Sequence, residues 1–167
     1  IAAGYAAEAR FILVDGKLTS FEKFQIRPGQ PKTVEAYIKV ITKQIGNGGT
    51  QAQSISSGYE PGFPYRRPRW NIASYVRPGR AYEVLARAIL NTPAVMPLDL
   101  KKALRQAGPD EREDYRLGFE DKVRQVLDNQ VRPVECFAVA RYALAARAGR
   151  AGSFDDEYTR IAIDRLQ

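Results

Sequence analysis

Apolar residues recur along most of this chain at the spacing of one helical face. The first clear stripe predicts a helix over residues 31–45, ended by Gly46, with apolar positions at spacings of 4, 3 and 4: Val34, Ile38, Ile41 and Ile45. Comparable stripes predict five further helices, over residues 80–91, 98–107, 110–128, 133–148 and 154–166. The pattern therefore predicts a mainly α fold of about six helices.

Two segments lack this periodicity. The β-branched and aromatic run Arg10–Asp15 predicts one short N-terminal strand before a turn at Gly16. Residues 47–79 hold five glycines and four prolines, which predicts a long irregular arm. We expect one domain with three parts: an N-terminal segment and first helix (1–46), an extended basic and aromatic arm (47–79) and a helical region (80–167).

Three predicted helices follow a similar short motif. An apolar residue, Arg and Pro occur at Ile26–Pro28, at Val76–Pro78 and at Val131–Pro133, each before an amphipathic segment that contains a tyrosine. These motifs indicate either a helical repeat, whose stacked units would present an extended surface, or the ordinary use of proline at helix starts.

Positive charge is concentrated in the first part of the chain. Of the 167 residues, 26 are basic and 19 acidic, for a net charge of +7. Residues 1–98 hold 13 basic and 6 acidic side chains, whereas residues 99–167 hold 13 of each. The N-terminal part should therefore attract acidic partners.

Composition argues against most catalytic chemistry. The chain has no His and one Cys, which excludes His-dependent nucleophile systems, His-ligated metal sites and an internal disulfide. The acidic clusters at 110–114 and 155–157 are typical of helix N-termini. No apolar run is long enough to cross a membrane. We therefore expect a soluble, non-enzymatic protein without a metal site.

The segment Gly58–Arg80 is the strongest candidate for a functional surface. Its prolines favour an extended backbone, and arginine and aromatic side chains of the kind found at binding hot spots alternate along it. Two interpretations are open: the segment binds a partner, or it folds back over the protein's own helices. The candidate partner-binding residues are Arg66, Arg67, Arg69, Arg77, Arg80, Tyr59, Phe63, Tyr65, Trp70 and Tyr75.

Nucleic acid is the alternative partner. Alternating basic and aromatic residues also neutralise phosphates and stack on bases, as in an accessory protein of a ribonucleoprotein particle. However, the chain has neither a known nucleic-acid-binding motif nor a helix with a dense basic face. An acidic protein partner is therefore the leading hypothesis.

The chain resembles the linker polypeptides of phycobilisomes, in particular the rod linkers and the phycoerythrin γ-type linkers of red algae. The resemblance rests on GYEPGFPYRRPRW, on the RPG motifs at Arg27 and Arg77, and on VECFAVARYALAAR around Cys136. It implies a light-harvesting scaffold that organises discs of phycobiliprotein hexamers (phycoerythrin or phycocyanin) and contacts other linkers. It also implies a chloroplast location on the stromal side of the thylakoid, with a transit peptide removed before Ile1.

Cys136 has two interpretations. A lone cysteine in an apolar helix is most often a small buried side chain. The resemblance implies another role, because γ-type linkers can hold a bilin through a cysteine thioether. Bilin cofactors would otherwise belong to the partner subunits.

Overall fold

A computed structural model describes residues 2–60 and 68–167. Within these ranges the chain forms a 3₁₀ turn at Leu104–Gln106 and six α-helices, and it has no strand. The mainly α prediction is confirmed. The helices are α1 (Ala2–Phe21), α2 (Val34–Tyr59), α3 (Pro68–Leu90), α4 (Leu98–Ala103), α5 (Pro109–Ala151) and α6 (Glu157–Asp164).

The predicted strand at residues 10–15 is wrong, because this run lies inside α1. Phe11 and Val14 of this run belong to a longer stripe at spacings of 3, 4 and 3 that is buried along the helix and continues through Leu18 and Phe21. Ile12 and Leu13 are exposed on the other side of α1. That stripe packs against α2 and α3. Burial of a helical face therefore outweighs the local strand preference of β-branched residues.

The prediction of an extended arm over residues 47–79 is also wrong. The residues of this segment that the structure describes belong to helices α2 and α3 or to the turn that ends α2. Helix α2 begins after Thr33, whose hydroxyl accepts a hydrogen bond from the Ala36 amide, and continues past Gly46 to Tyr59. Gly48 lies where a Cβ atom would stand 2.7 Å from a methyl group of Leu85. The glycine therefore allows α2 to approach α3 closely.

The second half of the predicted arm forms α3, which begins at Pro68, twelve residues before the predicted helix. Pro78 and Gly79 lie buried in its interior, and Pro133 lies inside α5. Only the motif at Ile26 precedes a helix, so the three motifs occupy unequal positions. The helical-repeat interpretation is contradicted. The prolines are tolerated because packing supports these helices on either side of the missing hydrogen bond.

Helix α5 joins the two predicted helices 110–128 and 133–148 into one helix of 43 residues. It begins with Pro109 in the first turn, and it packs mainly on α3. The final helix begins after Asp156, whose carboxylate accepts the Thr159 amide at 2.8 Å, and not after Ser153. These starts follow helix-capping chemistry.

Helix α3 holds the fold together, because it packs against α1, α2, α5 and α6. Most of its residues are buried, and they form one continuous apolar core with the inward faces of the other helices. The helices of residues 2–60 and 68–167 include none with the length and apolar character needed to span a membrane.

Candidate interaction surface

Four of the ten candidate partner-binding residues, Phe63, Tyr65, Arg66 and Arg67, lie outside the described residues. The other six lie at the end of α2 or on α3. The structure does not present these six on an extended arm.

The aromatic candidates pack inward. Tyr59 is 1% exposed, and its ring lies 5.0 Å from that of Phe11 in α1. The Trp70 ring lies 4.9 Å from the same phenylalanine, and Tyr75 is half-buried against the core. Tyr59 therefore cannot reach a partner in the folded protein. For these residues the second interpretation holds: they fold back on the protein's own helices.

Tyr59 and Arg77 converge on one carboxylate. The Tyr59 hydroxyl donates a 2.5 Å hydrogen bond to Oδ1 of Asp15, and Arg77 Nη2 lies 3.3 Å from Oδ2. Burial and then the adjacent Asp15 raise the pKa of Tyr59 above its ordinary value. This contact ties α1 to the end of α2 and to the middle of α3.

Arg69 and Arg77 both lie over the ring of Tyr158 in α6, at 5.9 and 5.6 Å from its centre. Arg69 also lies 5.7 Å from the centre of the Trp70 ring. At these distances a guanidinium is attracted to an aromatic face. These arginines therefore join α3 to α6.

Arg80 forms a second ionic cluster. Its Nε lies 3.1 Å from Glu22 and its Nη1 lies 3.1 Å from Glu83. Glu83 also accepts the Tyr142 hydroxyl at 2.8 Å and lies 3.5 Å from Arg165. Burial alone lowers the pKa of Arg80, but the two carboxylates outweigh it and raise the pKa. Of the candidate arginines of α3, Arg77 and Arg80 therefore neutralise the protein's own acids.

This pairing gives α1 two electrostatically different sides. Its carboxylate Asp15 and the adjacent Glu22 face α3, where Arg77 and Arg80 neutralise them. Lys17 and Lys23 are exposed on the side toward α2, and neither forms an ion pair with another described residue. Positive charge is therefore left unopposed on the α2 side.

A groove between α1 and α2 runs along this positive side and has a volume of about 540 Å³. Its lining includes the buried side chains of Phe21 and Ile55 and the half-buried Phe24, and the lining residue Leu13 is 75% exposed. Among the residues that the structure describes, no carboxylate lines it; its polar lining residues are Lys17, Lys23, Ser20, Gln51 and Ser54. This α1–α2 groove combines the apolar surface and unpaired cations that suit a segment with apolar and acidic side chains.

Sequence reasoning missed the α1–α2 groove. The excess of basic residues over residues 1–98 pointed to the part of the chain that contains the groove. The groove itself depends on two segments about 35 residues apart. The sequence predicts a strand at the start of the first, where Leu13 lies, and an irregular arm over the whole of the second. A test for helical spacing across Phe11–Phe21 would have found α1.

Cys136 is exposed on α5, so its interpretation as a buried side chain is wrong. Its neighbour Phe137 stacks on Tyr82 at 5.4 Å and is also exposed. Attachment of a bilin at this thiol stays a prediction. Residues 2–60 and 68–167 contain no group of three or more His, Cys, Asp or Glu side chains able to hold a metal ion.

Comparisons with known proteins found no matching family model, no matching curated protein and no matching solved structure.

Proposed function

We propose that this chain is a non-enzymatic linker or scaffold protein that binds acidic protein partners through the α1–α2 groove. More specifically, we propose that the partners are phycobiliprotein hexamers, and that the chain organises them as discs within a phycobilisome antenna in the chloroplast. The general proposal is supported by charge and surface chemistry. The specific form is supported by the resemblance of the sequence to phycobilisome linkers.

The observation that carries the proposal is the division of charge on α1. If Asp15 and Glu22 faced the groove, they would cancel Lys17 and Lys23, and an acidic partner would gain little. Instead they are paired with Arg77 and Arg80 on the opposite side. The basic residues of α3 thus promote binding indirectly, because they keep acidic side chains away from the groove.

The apolar surface gives the second reason. Leu13 is 75% exposed, and it lines the same groove as the two lysines and the half-buried ring of Phe24. Apolar contacts supply much of the affinity of protein interfaces, while charges steer association and select the partner. This combination favours a structured acidic protein over a purely electrostatic ligand.

The test is binding of purified phycoerythrin hexamers to the immobilised chain, measured at physiological salt. The charge reversal Lys17→Glu/Lys23→Glu should raise Kd by about tenfold or more, because two attractive contacts become repulsive. Leu13→Ser should weaken binding through lost apolar contact. The matched control is Lys39→Glu/Lys43→Glu, which changes charge equally at exposed positions of α2 outside the groove.

Equal losses in the groove variant and the control would reject the groove as the binding site. A duplex RNA serves as the competing probe, and its binding to the immobilised chain is measured under the same conditions. If RNA binds more tightly than phycoerythrin and Leu13→Ser leaves RNA binding unchanged, the protein-scaffold proposal fails in favour of nucleic-acid binding. Circular dichroism of each variant checks that its helices are retained.

A further inference from the structure

One side of α5 is uncovered along nearly the whole helix. Ten positions spaced three or four residues apart are all exposed: Tyr115, Gly118, Lys122, Gln125, Asn129, Arg132, Cys136, Ala140, Leu144 and Arg147. Large apolar side chains lie near both ends of this row: Tyr115 is 52% exposed and Leu144 is 41% exposed. We call this row of ten positions the α5 face. At about 1.5 Å per residue, α5 is about 65 Å long, enough for an extended helix-to-helix contact.

The charge of α5 reverses at its midpoint. Residues 109–128 hold seven acidic and four basic side chains, a net charge of −3. Residues 129–151 hold four basic side chains and one acidic side chain, a net charge of +3. The helix dipole favours acids in the first turn and bases in the last, but its influence ends there. It therefore does not account for Asp114, Asp121, Asp128, Arg132 or Arg147.

The reversal makes α5 complementary to a second α5 lying antiparallel to it. Glu111 and Arg150 stand 19 and 20 residues from the midpoint, Gln130, and Asp114 and Arg147 stand 16 and 17 residues from it. All four are exposed and none forms an ion pair with another described residue. A two-fold axis through the midpoint would place the acids of one copy beside the arginines of the other at both ends.

We infer that two copies of this chain associate through antiparallel α5 faces. The occupant is a second copy because the charge pattern matches itself only in that orientation. Exposed apolar side chains such as Leu144 would be covered, and charge pairing would select the antiparallel register. This surface is separate from the α1–α2 groove, so the inference stands independently of the proposed function.

Sedimentation velocity of the full chain over a range of concentrations tests the inference. We expect reversible dimerisation. The reversal Arg147→Glu/Arg150→Glu should raise the dimer Kd by at least about tenfold, because each end then brings acids together. The same expectation holds for Glu111→Lys/Asp114→Lys. The variant carrying all four substitutions exchanges the charges and should restore dimerisation.

Cysteine cross-linking tests the orientation. In a Cys136→Ser background, Asn129→Cys places a thiol on the α5 face close to the proposed axis and should form a cross-linked dimer. Arg124→Cys is the control, since position 124 is exposed on another side of the helix. A chain that stays monomeric, a four-fold variant that fails to dimerise, or equal cross-linking at 124 would each overturn the inference. Substitutions in the α1–α2 groove that abolish phycoerythrin binding should leave dimerisation and cross-linking through α5 unchanged, so the two proposals can fail separately.

Discussion

The hydroxyl of Tyr59 donates a 2.5 Å hydrogen bond to Oδ1 of Asp15, which lies 44 residues earlier in the chain. Tyr59 is almost fully buried, and Arg77 holds the other carboxylate oxygen. One contact therefore connects the last residue of α2 with α1 and α3. It also explains why a segment rich in arginine and tyrosine is part of the core.

Replacing Tyr59 by Phe should lower the free energy of unfolding by about 1–2 kcal/mol, because a hydrogen bond to a charged acceptor is lost in a largely buried place. Urea denaturation measures the change. Tyr82→Phe is the matched control: the Tyr82 hydroxyl donates to the neutral amide oxygen of Gln53 at 3.0 Å. Its loss should cost less, and equal costs for the two variants would contradict a special role for the Asp15 contact.

Alkaline pH should destabilise the fold through two tyrosines. Burial, followed by hydrogen bonds to carboxylates, raises the pKa of Tyr59 and of Tyr142 above 10. The unfolded chain loses these protons near pH 10 while the folded protein keeps them. Their contribution to stability is therefore complete below pH 10 and decreases as pH rises from 10 toward the folded pKa values.

The measurement is urea denaturation between pH 8 and pH 11. At about pH 11 the two tyrosines together should account for roughly 3 kcal/mol of lost stability. The variant Tyr59→Phe/Tyr142→Phe, although less stable at pH 8, should lose correspondingly less as the pH rises. Parallel profiles for the variant and the natural sequence would show that other groups cause the alkaline loss.

Two glycines inside helices should respond oppositely to alanine. At Gly46 an added Cβ meets nothing within 4 Å, so Gly46→Ala should stabilise the protein by about 0.5–1 kcal/mol through helix propensity. At Gly149 the Cβ would lie 2.9 Å from the Cβ of Thr159 and closer still to other Thr159 atoms. Gly149→Ala should therefore cost about 1–3 kcal/mol by separating α5 from α6.

Thermal and urea unfolding of both variants provide the measurement. Both variants replace a helical glycine by alanine. Opposite changes in the free energy of unfolding would therefore come from the surroundings of the two positions. Stabilisation by Gly149→Ala would contradict the close packing of α5 on α6.

Several helices could be predicted from the sequence because their signals are local. The stripe from Val34 to Ile45 and the core side of α5 depend on residues three and four positions apart. The continuation of α2 through Gly46, Asn47, Gly48 and Gly49 could not be predicted in this way. These residues disfavour a helix by themselves, and Gly48 is helical because its small size permits close contact with Leu85 and Phe24.

The candidate site, too, was predicted only in part from the sequence. The sequence by itself determined that the chain is mainly helical and that its N-terminal part carries the excess positive charge, since helical spacing and composition are properties of neighbouring residues and of counts. Only the tertiary structure decided which cations stay unpaired. Arg77 and Arg80 meet Asp15 and Glu22 across 62 and 58 residues, whereas Lys17 and Lys23 face an open groove. Such pairings follow from the packing of α1 against α3, because apolar burial orients the helices and thereby selects which charged side chains meet.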